Sequence, residues 1–310
     1  MPLFYVGNFI ADILLCILLC ILGPDLGPFD RGDPHVRYNL TDLHTHSFCS
    51  DGLRTPAQAV QEANEARLQA MSLTDHDTVE GVDEAMAVGK ELDLEVIPGT
   101  ELSAHVKERE VHILAYCLEW TNPQLLSHLD LLHTQRQERG VAIVELLNNL
   151  GVELTLDEVL QEASGGSLGR PHIAAAMVSR GVVTNKDEAF ERYLGDRSPA
   201  FSPKPYHSAA EVIELVHQVG GVAVLAHPGT SLPEATILHL VDSNLDGIEV
   251  FHPAHHAPQI EYYAQMTAQY NLLQSGGSDS HGGPEGVGIG DYGIGYEAID
   301  AMRQRAATYA

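Results

Sequence analysis

Seven short aliphatic runs, most of them passing straight into a word rich in histidine or acid, constrain this chain more than any other feature. They are Tyr38–Leu43, Ala70–Leu73, Leu94–Ile97, Val111–Tyr116, Val222–Leu225, Gly247–Phe251 and Leu272–Gln274. Short runs rich in Val, Ile and Leu, bounded by Gly, Pro, Asp or Ser, read as buried strands. Helical patterns lie between most of them. Thr55 is an N-cap followed by Pro56 at the first helical position, which opens a helix through Ala57–Leu68. Further helices are predicted over Val82–Leu92, Ser208–Val219 and Ala257–Tyr270, the second of these with Val212, Leu215, Val216 and Val219 on one face. Alternating strand and helix predict an α/β fold around a parallel sheet, open or closed as a barrel.

Between Trp120 and Pro205 the rhythm changes. Pro123–Leu150, Leu156–Ala163, Pro171–Arg180 and Lys186–Leu194 all read as helices, with loops at 164–167 and 198–199. The expected organisation is a barrel body over 36–119 and 205–310, a helical insertion over 120–204, and a separate segment over 1–35. In that segment Phe9–Leu22 is apolar but broken by Asp12, and Ile13–Leu22 is too short to span a bilayer. No basic residue precedes Arg31, which is unlike a signal peptide. Three readings stay open: a degenerate signal or anchor, a helix packed on the fold, and a translation start placed too early, with Val36 as the true start. No stable membrane span is expected. Cys16, Cys20, Cys49 and Cys117 lack zinc-knuckle or disulfide spacing, as suits thiols in a reducing cytoplasm.

The strand-end words are Asp42-Leu43-His44-Thr45-His46 with Asp51 beyond it, Thr74-Asp75-His76-Asp77, Pro98-Gly99-Thr100-Glu101, Ala226-His227-Pro228, His252-Pro253 and Ser278-Asp279-Ser280-His281-Gly282; the fourth run carries His112 near its start. In α/β barrels the carboxyl ends of the strands share one rim. His44 and His46 are two apart, so on a strand they face the same way, and Asp279 and His281 repeat that spacing. His44, His46, Asp51, His76, Glu101, His112, His227, Asp279 and His281 are therefore candidate metal ligands. They are too many for one ion, which takes three or four protein ligands, and a bridging carboxylate would accommodate two or three. Mixed imidazole and carboxylate donors suit zinc, manganese or iron. Asp75 and Asp77 are expected to orient His76 or a water beside the ions. His105, His128, His133, His217 and His239 lack strand-end placement and are expected to be packing or surface residues; His207, His255 and His256 stay undecided.

The chain carries a formal net charge of −26, and only 6% of it is aromatic. Long nucleic acids need a basic face, and single strands favour stacking platforms, so both are disfavoured. A small phosphorylated partner, or the end of a short oligonucleotide, is compatible, because a few arginines and lysines suffice to grip one phosphate.

Together these words, with His112-Ile113-Leu114, resemble the PHP family, named for polymerase and histidinol phosphatase. They run over residues 38–295, nearly the whole chain beyond the first segment. The resemblance implies a distorted (β/α)7 barrel and a metal-dependent phosphoesterase. It implies a first ion on His44, His46, Glu101 and Asp279, a second on Asp51, His76 and His281, and a third on Glu101, His112 and His227, with Glu101 bridging. Manganese is the usual ion of the family.

Gly169-Arg170-Pro171-His172-Ile173-Ala174 resembles the branch that contains 3′,5′-nucleoside bisphosphate phosphatases, some of which trim short RNAs from the 5′ end. The implied reaction is hydrolysis of a phosphate monoester by a metal-activated water. Arg170 is then the candidate grip for a second phosphate, because guanidinium matches phosphate oxygens in a bidentate way. His172 and Lys204 are its expected helpers. His252 is expected to position the substrate or protonate the leaving oxygen. The chain departs from the family in its long leading segment and in its acidity. Two alternatives remain, a histidinol-phosphate phosphatase and a non-catalytic, metal-stabilised module.

Overall fold

The computed structural model describes residues 40–163, 167–196, 198–203, 205, 207–283 and 286–309. Lys204, Cys16, Cys20 and the whole of residues 1–39, with Val36 and the first positions of the run Tyr38–Leu43, lie outside them. The described thiols, Cys49 and Cys117, are free.

One seven-stranded sheet runs in chain order: β1 (Thr41–Thr45), β2 (Ala70–Leu73), β3 (Glu95–Val106), β4 (Arg109–Tyr116), β5 (Val222–Leu225), β6 (Gly247–Phe251) and β7 (Leu273–Gly276). The ladder itself does not close. Beyond β7, however, the chain runs alongside β1, with Asp279 N–H donating to His44 O at 2.8 Å and His46 N–H to Ser280 O at 3.0 Å. The buried Asp42 carboxylate helps to seal this seam by accepting from Ser278 N–H at 2.9 Å and Gly290 N–H at 2.8 Å. The result is an irregularly completed, distorted barrel.

The expectation of a parallel sheet needs one correction. β1, β2 and β3 are parallel, as are β5, β6 and β7, but β4 is antiparallel to both β3 and β5. Only Lys107 and Glu108 separate β3 from β4, and Lys107 adopts φ +55°. A parallel return needs a crossover of a dozen residues or more, whereas two residues suffice for a hairpin.

Helices cover the outer face. α1 (Pro56–Glu65) begins with a reciprocal capping box, in which Gln58 N–H donates to Thr55 Oγ1 and Thr55 N–H to Gln58 Oε1. α2 (Val82–Glu91) follows β2. The long α3 (Pro123–Asn149), α4 (Leu156–Ala163), α5 (Arg170–Ser179) and α6 (Lys186–Ala189) come between β4 and β5. A π-helical turn, Phe190–Leu194, continues α6 where a plain α-helix was expected. Ile143, Leu147, Val159, Ile173, Met177 and Leu194 belong to a core of these helices separate from that of the barrel. α7 (Ala209–Gln218), α8 (Glu234–Asp242), α9 (Ala257–Tyr270) and α10 (Glu297–Ala306) complete the outer layer. α8 and α10 have no counterpart among the sequence expectations. No helix among the described residues is long and apolar enough to cross a membrane.

Candidate metal centre

The carboxyl ends of five strands, the middle of β3 and the first half of the reversed β4 meet at one rim. Glu101, fully buried in β3, is the hub. Its Oε2 lies 3.2 Å from His44 Nε2, 3.4 Å from His46 Nε2 and 3.0 Å from His76 Nδ1. Its Oε1 lies 2.7 Å from His112 Nδ1 and 2.9 Å from His227 Nε2. Asp279 Oδ1 approaches His46 Nε2 at 3.0 Å and His44 Nε2 at 3.3 Å. Asp51 Oδ1 lies 3.2 Å from His281 Nε2 and 4.0 Å from His76 Nε2. All nine candidate ligands therefore converge.

Ligand-capable atoms gather in overlapping groups. His44, His46, Glu101 and Asp279 form one, His46, Asp51, His76 and His281 another, and His76, Glu101 and His112 a third. The first has the membership expected from the family resemblance. The second adds His46 to the expected trio. In the third, His76 stands where His227 was expected, while His227 reaches the same Glu101 oxygen as His112.

Electrostatics explain why such a cluster seeks cations. Burial alone would raise Glu101, Asp51 and Asp279, but the imidazoles packed around each hold all three well below the usual carboxylate range. Burial pushes His76 down to about 3, with Glu101 and Asp51 only partly opposing it. For His281, burial is outweighed by the adjacent Asp51 and Asp279 carboxylates, and its pKa rises to about 9. His44 is raised as well, because Glu249, Asp279 and Glu101 together overcome its burial.

Both ring nitrogens of His46, Nδ1 of His76 and Oδ1 of Asp51 are buried without a hydrogen bond. A neutral imidazole offers one lone pair, and such lone pairs held beside a carboxylate oxygen away from water are costly; a divalent cation would convert them into coordination bonds. The residues present thus fit divalent metal ions.

Other candidates take different places. Asp75 does not orient His76. Its carboxylate accepts from Ser47 N–H at 2.7 Å, Ser47 Oγ at 2.6 Å and Ser50 Oγ at 2.6 Å, so it shapes the loop that carries Asp51. Asp77 binds Ser103 N–H at 2.7 Å and the Arg136 guanidinium, with Arg136 Nε at 2.7 Å. The reason is local: on a turn after β2, both flanking aspartates point away from the face that presents His76.

His252 accepts from Ala254 N–H through Nδ1 at 3.0 Å, which leaves its Nε2–H to donate to Asp279 Oδ2 at 3.3 Å. Its nearest polar partner at the centre is thus the candidate ligand Asp279. Arg170 is engaged within the insertion by Leu194 O at 3.1 Å and Asp196 Oδ1 at 2.8 Å. His172 accepts from Gly169 N–H through Nδ1 at 3.1 Å, and burial keeps its pKa low. His217 and His255 satisfy structural partners, Asp246 and the Gly229 and Val250 backbone.

Sequence reasoning missed three residues. Glu249 contacts His44 Nδ1 at 2.9 Å; a lone acid inside the apolar run Gly247–Phe251 was the available signal. Arg136 and Arg139 lie one turn apart on α3 and carried no signal, because the charges of a long helix do not reveal which face crosses a rim. Burial lowers Arg139 to about 10, and the nearby charges of Arg170 and Arg136 push the same way against Glu110 and Asp196. Arg139 thus stands near both Arg136 and Arg170, and of these Arg136 is close enough to feel the charge of Asp51.

The PHP domain family model matches residues 42–202. A 5′-3′ exoribonuclease of Haemophilus influenzae is 31% identical over 245 residues, covering 77% of this chain and 89% of that protein. A phosphoribosyl 1,2-cyclic phosphate 1,2-diphosphodiesterase of Eggerthella lenta is 31% identical over 247 residues, covering 78% and 94%. A 3′,5′-nucleoside bisphosphate phosphatase of Chromobacterium violaceum is 29% identical over 251 residues, covering 79% and 88%. Among solved structures, a protein of Bifidobacterium adolescentis described as a metal-dependent phosphoesterase superposes with a TM-score of 0.80 at 32% identity, covering 86% of this chain and 96% of that one.

Proposed function

We propose, from the premise that this chain belongs to the PHP domain family, that its substrate is a small nucleotide bearing two phosphates. It is a phosphoesterase, a hydrolase of phosphoric ester bonds. The finer reading is removal of the 3′-phosphate from 3′,5′-nucleoside bisphosphates, with short RNAs bearing a 5′-phosphate as related substrates. The observation that carries it is the cluster of guanidiniums in which Arg136, within reach of the charge of Asp51, neighbours Arg139, and Arg139 neighbours Arg170, in a chain whose net charge is −26.

The clustered imidazoles and carboxylates would hold two or three divalent ions, manganese in our reading, which would supply positive charge for the phosphoryl oxygens and a more acidic water. The protein does the rest by placement. Glu101 fixes the imidazoles of both sides relative to each other. Asp75 holds the Ser47–Ser50 turn, so that Asp51 faces His281. Asp77 and Ser103 pin Arg136 with one edge of its guanidinium occupied, which sets the direction of the other edge. Arg139 is held by Ser202 O through Nε at 2.8 Å, and among the described residues its terminal nitrogens have no hydrogen-bond partner, which suits them to an anion. His172, neutral and with Nδ1 already accepting, has Nε2–H as a donor. Such a clamp recognises a second phosphate at a fixed distance from the scissile one.

Phosphate release by manganese-loaded protein tests the reading across 3′,5′-nucleoside bisphosphates, mononucleotides, 5′-phosphorylated short RNAs, a ribose 1,2-cyclic phosphate and histidinol phosphate. The bisphosphate should give the highest kcat/KM. Equal turnover of simple monoesters or of histidinol phosphate would mean that the second phosphate is not read.

A further inference from the structure

Glu249 sits in the middle of β6 with no solvent exposure, and its two oxygens serve two different strands. Oε1 lies 2.9 Å from His44 Nδ1, on β1. Oε2 accepts from the His227 backbone N–H at 2.8 Å, just beyond β5. We propose that Glu249 is a positioning residue that prepares His44 and His227 together, one on each side of Glu101, to receive divalent ions. The proposal rests on the reading that these imidazoles hold ions.

A buried carboxylate is tolerated when both oxygens are paired, as here. By accepting a hydrogen bond from Nδ1–H, Glu249 turns the Nε2 lone pair of His44 toward the centre, where Glu101 Oε2 and Asp279 Oδ1 lie at 3.2 and 3.3 Å. A carboxylate behind a ligating imidazole fixes its tautomer and strengthens it as a donor.

On the other side His227 has φ +25°, a backbone region that costs a non-glycine residue about 1–3 kcal/mol. The bond from its N–H to Glu249 holds the backbone there. That conformation delivers His227 Nε2 to within 2.9 Å of Glu101 Oε1. One side chain therefore sets a donor on the Oε2 side and another on the Oε1 side of the hub. Loss of Glu249 should weaken more than one ion.

The test is manganese titration of the metal-stripped, full-length protein, followed by electron paramagnetic resonance of the free ion, with thermal melting of the stripped protein alongside. Glu249→Gln keeps size but offers an amide nitrogen to one of the two donors. We expect at least two ion equivalents to weaken by about 10–100-fold, while the stripped protein melts no lower than wild type. Glu249→Asp keeps the charge with a shorter reach and should show a smaller loss at the same ions. Asp246→Asn alters another fully buried acid, just before β6 at the opposite rim. It should lower the melting temperature and leave ion affinity unchanged.

Wild-type affinity in both Glu249 variants would overturn the proposal. So would loss of one whole equivalent with the others untouched, which would make Glu249 a ligand. So would equal weakening in Asp246→Asn, which would make the effect generic. Failure of the wild-type protein to bind manganese, zinc or iron would instead remove the metal reading beneath it.

Discussion

His112 Nδ1 lies 2.7 Å from Glu101 Oε1, although Glu101 is in the middle of its strand and His112 is near the start of the next. The reversal of β4 makes this contact possible, because the beginning of an antiparallel strand reaches the rim where its neighbours end. Five imidazoles consequently share one carboxylate. Glu101→Gln should lower manganese affinity by more than the roughly 100-fold that loss of an outer partner causes, and phosphate release should fall in step. Metal analysis of the purified variant checks this; full metal content would remove Glu101 from its central role.

His281 gives the centre a pH dependence. Its pKa rises from 6.5 to about 9 through Asp51 and Asp279, against the pull of burial. A raised histidine stabilises the ion-free protein fully below about pH 6.5, and this contribution is lost as pH rises through about 9. An ion bound by Asp51, His76 and His281 must displace that proton. The melting temperature of stripped protein should therefore fall between these pH values while manganese affinity climbs, by about tenfold per pH unit for one displaced proton. Calorimetric titration in buffers of different ionisation heat would count the protons; an affinity independent of pH would refute the assignment.

Arg139 offers a clean separation of binding from chemistry. Truncating it to alanine removes a charge-assisted contact worth about 1.5–3 kcal/mol, so KM for a 3′,5′-bisphosphate should rise by roughly 10–100-fold. KM and kcat for a monophosphate should move by less than about twofold. Steady-state kinetics on both substrates decides it, and a parallel loss on the two would place Arg139 in the scaffold.

Asp246 anchors the end of the chain. It accepts from His217 Nε2 at 2.8 Å, Arg305 Nη1 at 3.0 Å, Tyr309 Oη at 2.7 Å and Ala223 N–H at 2.9 Å. Tyr309 also stacks on His217, with ring centroids 3.9 Å apart. Asp246→Ala strands several donors at a buried position and should cost about 2–4 kcal/mol. Denaturant unfolding measures the loss, and manganese stoichiometry should stay at the wild-type value.

Much of the centre was legible because strand geometry is periodic and local. Two-residue spacing placed His44 with His46 on a shared face, and the aliphatic runs located the strand ends; Asp279 and His281 lie beyond β7, where Asp279 has φ +51°, so their convergence does not follow from strand periodicity. The direction of β4 was also encoded, in the two-residue link after Val106, since so short a connection admits only a hairpin. Asp75 and Asp77 were placed on the right turn but given the wrong partners. Adjacent residues on a turn diverge, and a sequence shows proximity along the chain but not the direction of a carboxylate.

The sequence by itself determined the α/β architecture, the strands and the identities of the convergent histidines and acids, because each follows from local periodicity and composition. Only the tertiary structure decided what those residues face. Glu249 meets His44 and His227 across strands that lie far apart in sequence, and Arg136 meets Asp77 because α3 crosses the rim. Such contacts depend on how packed elements are arranged in space, and buried charges find their partners through that arrangement rather than through any spacing along the chain.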